Sequence, residues 1–145
     1  MIRRLAAVVC LATFPAMAGE IRCPDLATAV QVGSCPSEEE LKISFNGYCG
    51  DNARIYDKGG DVTCVTFENY RKLKDIALWE AGDFQGYLHC SRSAEAHKAT
   101  KLFGMKALRA GKITRVICTY DDGDEMTLRT RSECTVEGNV AVCKD

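Results

Sequence analysis

His89 and His97 are the only histidines in this 145-residue chain, and so the only side chains whose ordinary charge change falls near neutral pH. A histidine pair beside lysines can cleave RNA phosphodiesters by general acid–base catalysis. That chemistry needs a cationic groove, whereas 20 acidic residues here outnumber 19 basic ones. Nucleic acid is therefore not an expected partner, and both histidines are expected on the surface. A small secreted hydrolase using His89 or His97 is kept as the alternative to a non-enzymatic function.

Four carboxylates, Asp121, Asp122, Asp124 and Glu125, crowd one turn. They fall far short of a twelve-residue EF-hand loop, and a solvated hairpin tip is the expectation. Trp79, Phe84 and Tyr87 could form a stacking platform for sugar or peptide, although aromatic residues on strands usually pack in a core. No Ser-His-Asp, Cys-His or Gly-rich phosphate pattern is present. The chain is expected to need no metal or cofactor.

Arg3 and Arg4 precede an apolar run from Leu5 to Phe14, and Pro15-Ala16-Met17-Ala18 ends in small residues at the positions a signal peptidase reads. Residues 1–18 are thus expected to be a secretory signal, with a single domain over 19–145. The run is too short for a membrane anchor and no second one follows, so no transmembrane segment is expected in the mature chain. Loss of the two arginines moves the net charge from −1 to −3.

Cys10 leaves with the signal and eight cysteines remain, with no C-x-x-C among them. An even count in an exported chain implies four disulfides. Cys134 and Cys143 flank a turn at Gly138-Asn139, which sets them opposite each other in a non-hydrogen-bonded pair where a bridge fits. A weak repeat relates 35–67 to 90–120: each begins with a cysteine before a Ser/Glu helix start and ends in a similar cysteine-bearing strand. If the repeat is real, Cys35 pairs with Cys64 and Cys90 with Cys118, leaving Cys23 for Cys49. The Cys23-Pro24 pair, Phe84-x-Gly86 and Cys118-Thr119-Tyr120 resemble small exported bacterial proteins, a likeness that brings no active site with it.

The elements that position these residues are read as follows. Ser37 to Glu40 form a capping box for a short helix that is expected to end near Ile43. Val62–Phe67 reads as a strand, and Glu68–Glu80 as a helix fraying towards a strand at Phe84–Cys90. Ser93 caps a helix running to a C-terminal Gly111, with Ala96, Ala99, Leu102, Phe103, Ala107 and Ala110 as its buried stripe. Ile113–Tyr120 is an interior strand, turned at Asp122-Gly123 so that Ile117 meets Leu128 and Thr119 meets Met126. The class is α+β: a small disulfide-rich domain with an antiparallel sheet and one main amphipathic helix packed on it.

Charge is asymmetric within this frame. From Ser91 to Arg115 seven basic residues stand against Glu95 alone, a window of +6 that leaves −9 for the rest of the mature chain. Lys98, Lys101 and Arg109 would form a cationic helix face able to seek an acidic protein or an anionic surface. The expected function is an exported binding module, of the inhibitor or immunity type, that docks to a protein partner in the envelope or outside the cell. A secreted virulence or adhesion factor is a further alternative.

Overall fold

The computed structural model describes residues 19–55 and 62–145. The expected signal segment 1–18 lies outside the described residues. The β-branched run Ile113–Tyr120 (β6) is buried on both faces: Val116, Cys118 and Tyr120 on one and Ile117 on the other. It lies inside a six-stranded antiparallel sheet, between Leu102–Ala110 (β5) and Glu125–Thr130 (β7). Ile76–Ala81 (β3) and Phe84–His89 (β4) form a hairpin that joins this meander at β7, and Val30–Gln31 (β2) adds a short edge, giving the order β2-β3-β4-β7-β6-β5. Gly19–Arg22 (β1), Glu133–Glu137 (β8) and Val140–Lys144 (β9) make a second antiparallel sheet in the order β1-β9-β8.

Four helices are described: Glu38–Cys49 (α1), Asn52–Ile55 (α2), Phe67–Lys74 (α3) and Ala94–Lys98 (α4). The class is α+β, with strand outweighing helix. The core fills the inner face of the large sheet with Trp79, Phe84, Leu88, Val116, Tyr120 and Met126, closed over by Leu26, Ala29 and Ala141. Each such large apolar side chain contributes about 1.5–3 kcal/mol by leaving water. A smaller aromatic cluster ties α1 to α3, with Phe45 5.6 Å from Phe67 and 5.4 Å from Tyr70 between ring centroids.

The expected helix from Ser93 to Gly111 is corrected. Ser93 does cap a helix, its Oγ accepting from Ala96 N at 3.1 Å, but α4 ends at Lys98 and the chain re-enters as β5. Gly111 is the first residue of a two-residue hairpin turn at φ +60°, not a helix cap. The main helix is instead α1, which runs to Cys49 rather than stopping near Ile43. Its capping box is present, Glu40 N donating to Ser37 Oγ at 3.2 Å and Ser37 N to Glu40 Oε2 at 2.7 Å.

Val62–Phe67 is not a strand: Val62–Cys64 is a 3-10 turn, and Thr66 caps α3 by accepting from Asn69 N at 3.1 Å. Beyond Lys74 the expected helix gives way to β3, whose pattern from Ile76 to Ala81 alternates half-buried and buried. The β6–β7 hairpin is shifted by one residue, pairing Val116 with Leu128 and Cys118 with Met126. Its loop is Asp121-Asp122-Gly123 with Gly123 at φ +89°, one residue longer than the expected two-residue turn, because Tyr120 N bonds to Asp124 O.

Cys134 faces Cys143 in the β8–β9 register and is bonded to it, with Cα atoms 4.0 Å apart. The other three expected bridges are corrected. Cys23 joins Cys118, Cys35 joins Cys90 and Cys49 joins Cys64. The two halves of the supposed repeat are therefore tied to each other at their first cysteines, and the described residues of 35–67 hold no strand to match the two in 90–120. No helix among the described residues is long and apolar enough to cross a membrane.

Candidate functional site

Sequence places one histidine in α4 and one at the end of β4, and the fold brings both to the β6–β7 loop. His97 is buried, 1% exposed, with its ring edge-on to Trp79 at 5.6 Å. Its Nε2 lies 2.9 Å from the carbonyl oxygen of His89 and its Nδ1 2.5 Å from Oδ2 of Asp124. A carbonyl only accepts, so Nε2 carries a proton, and a second proton lies between Nδ1 and the Asp124 carboxylate. Both ring nitrogens are thereby committed inside the protein. Neither is free to exchange a proton with a substrate.

Arg92 completes the cluster. Its guanidinium contacts Asp122, lies 3.7 Å from Asp124, and reaches Ala96 O at 3.5 Å. The ligand atoms of His97, Asp122 and Asp124 lie within 4.8 Å of one another, a spacing that a metal ion could use. Here the shared proton and the charge of Arg92 balance the two carboxylates, so the set is an ion network with His97 and Asp124 buried and Arg92 and Asp122 towards solvent.

The four acidic residues of the hairpin do not form one site. Asp121 accepts from Lys101 N at 3.3 Å, Asp122 meets Arg92, Asp124 meets His97, and Glu125 lies 3.5 Å from Lys106. Asp124 is also only 6% exposed, so the expectation of a solvated tip fails for it. The signal for this lay in the sequence only as two clusters about 27 positions apart, Arg92 to His97 and Asp122 to Asp124, which nothing local connects.

His89 behaves differently. Its side chain is exposed on the outer face of the large sheet, with no hydrogen bond to its ring among the described residues. It borders an open groove of about 570 Å³ shared with Leu78, Gln85, Tyr87, Thr127 and Arg129. The aromatic platform is divided by strand alternation: Trp79 and Phe84 are in the core, at 3% and 4% exposure, while Tyr87 stands on the outer face at 65%. These three cannot stack on one ligand.

The expected cationic helix face is likewise not formed. Lys98 ends α4, Lys101 leads into β5, and Arg109 sits near the far end of β5, bonded to the carbonyls of Arg131 and Ser132 and 3.6 Å from Glu133. The basic window is thus drawn out from α4 along β5 and its turn into β6. Arg92, Lys106 and Arg109 have acidic partners, whereas Lys98, Lys101, Lys112 and Arg115 are exposed with none among the described residues.

No protein-family model, no curated protein and no solved structure matches this chain.

Proposed function

We propose that the protein is a disulfide-stabilised binding module, exported to a periplasm or the cell exterior, that docks to an acidic protein partner in the manner of an inhibitor or immunity protein. The observation that carries this reading is a set of exposed cations, Lys98 at the end of α4, Lys101 just before β5, Lys112 in the β5–β6 turn and Arg115 in β6, whose side chains have no acidic partner among the described residues, in a chain of net negative charge. Unneutralised charge of one sign steers an oppositely charged surface and raises its association rate. Four bridges suit an oxidising compartment. The commitment of both His97 nitrogens supports docking over hydrolysis, because it removes one of only two candidate acid–base groups.

The test is capture from envelope and secreted fractions at low and moderate salt by the oxidised protein and by a Lys98→Glu, Lys101→Glu, Lys112→Glu variant. A stoichiometric partner should be bound at least about tenfold more weakly by the variant and more weakly at higher salt, with unchanged thermal stability. Capture indifferent to both salt and charge reversal would sink the reading. A hydrolytic turnover abolished by His89→Ala would replace docking with catalysis.

A further inference from the structure

The six-stranded sheet ends on β5, and no strand among the described residues pairs with its outer side. The hairpin to β6 turns through Gly111 and Lys112 alone, with Ala110 facing Ile113. In a two-residue turn the closing pair is hydrogen-bonded, and bonded pairs then alternate with unbonded ones. Leu108 and Lys106 therefore direct their backbone groups at β6, while Arg109, Ala107 and Met105 direct theirs away from it. The strand is nine residues long, whereas the opposite edge, β2, has two and is too short to template a partner. Long, unpaired edges are what proteins ordinarily avoid.

We propose that β5 is an acceptor edge for strand addition: an extended acidic segment of a partner protein pairs along Met105–Arg109 and continues the sheet. Strand addition of this kind presupposes that the protein acts by docking. The side chains favour one class of guest. Phe103, left unopposed where the register slips between Leu102 and Gly104, is 80% exposed, and Leu108 is 44% exposed. They offer apolar contact to alternate residues of an added strand. The side chains of Lys101, just before the strand, and Lys112, in its turn, have no acidic partner among the described residues, whereas Lys106 and Arg109 already face Glu125 and Glu133, so acidic residues of the guest are matched at the two ends of the edge. A second copy of this chain is disfavoured, because residues 102–112 carry no carboxylate to meet Lys101 and Lys112.

The probe is a capped octapeptide of alternating Glu and Val, compared with the same peptide N-methylated at alternate residues and with a Lys/Val counterpart. Binding to the oxidised protein is measured by amide NMR titration. The Glu/Val peptide should protect the amides of Met105, Ala107 and Arg109, and N-methylation should weaken it at least about tenfold, since it removes strand hydrogen bonds and leaves the charge. An Ala107→Pro variant, which deletes only an outward-facing N–H, should lose binding to a similar extent; its folding is checked by the unchanged amide shifts of β3 and β4. Equal binding of the N-methylated peptide, or shifts centred on Tyr87, His89 and Arg129, would overturn strand addition while leaving docking intact. Equal binding of the Lys/Val peptide would instead remove the acidic partner. No binding of the Glu/Val peptide to wild type would also overturn strand addition at β5.

Discussion

The imidazole of His97 is held between Asp124 at 2.5 Å and the backbone carbonyl of His89 at 2.9 Å, so that the end of β4, the helix α4 and the β6–β7 loop meet at one buried ring. Removing one partner of a buried charged network leaves the other uncompensated and costs about 3–5 kcal/mol. His97→Ala should therefore lower the urea unfolding free energy by that order. His89→Ala should change it by less than about 0.5 kcal/mol, because the residue's structural contribution is its carbonyl and its ring is exposed. Equal losses for the two would show that the His97 network is not what joins these elements.

Disulfide removal should be graded by the length of chain each bridge closes. Cys23–Cys118 spans 95 residues and Cys49–Cys64 spans 15, for which loop entropy predicts about 4.7 and about 3 kcal/mol. Paired Cys→Ala variants, compared by chemical denaturation, should show the larger loss for Cys23 and Cys118. The burial of Cys118 adds a packing loss in the same direction. The reverse order would mean that restriction of the unfolded chain is not the main contribution of these bridges.

The junction of the β3–β4 hairpin with the β5–β6–β7 meander depends on Gly86. A Cβ there would lie 2.3 Å from Glu125 O and 2.6 Å from Met126 Sδ. The thioether can swing away, but the carbonyl belongs to β7 and cannot move without parting the strands. Gly86→Ala should destabilise the protein by about 1–3 kcal/mol as overpacking. Hydrogen exchange should show the loss first at β4 and β7; uniform acceleration across both sheets would point to some other origin.

Local chemistry was legible in the sequence where one short segment decides the outcome. Ser37 with Glu40, Ser93 and the turn at Gly138-Asn139 act through neighbours within a few residues, and the structure places each in that capping or turn role. Residues 102–110 misled because Leu, Met, Lys, Ala and Arg are good helix formers by a few tenths of a kcal/mol each. Pairing with buried β6 outweighs that preference, and no residue in the window announces it. The cysteine pattern misled for a related reason. The 55-position offset that suggested a repeat is the span of the Cys35–Cys90 bridge itself. Asp124 resembled any loop carboxylate until His97, from a distant helix, was placed beside it.

Alkaline stability should depend on Tyr120. Its hydroxyl donates to the carbonyl of Pro24 at 2.6 Å, and the ring is 2% exposed beneath the Cys23–Cys118 bridge region. Burial, with a smaller contribution from the charge of Asp25, pushes its pKa from 10.0 up to about 12. The folded state therefore holds this proton between those two values while the unfolded chain releases it. Stability from this group is fully present below pH 10 and is lost as pH rises towards 12. Tyr120→Phe should lose about 1 kcal/mol near neutral pH for the missing hydrogen bond, yet decline less than wild type between pH 10 and 11.5. Urea denaturation of both proteins at pH 8, 10 and 11.5 measures the difference. Parallel decline would show that Tyr120 does not hold its proton more tightly folded than unfolded, and that the Pro24 contact is not maintained in solution.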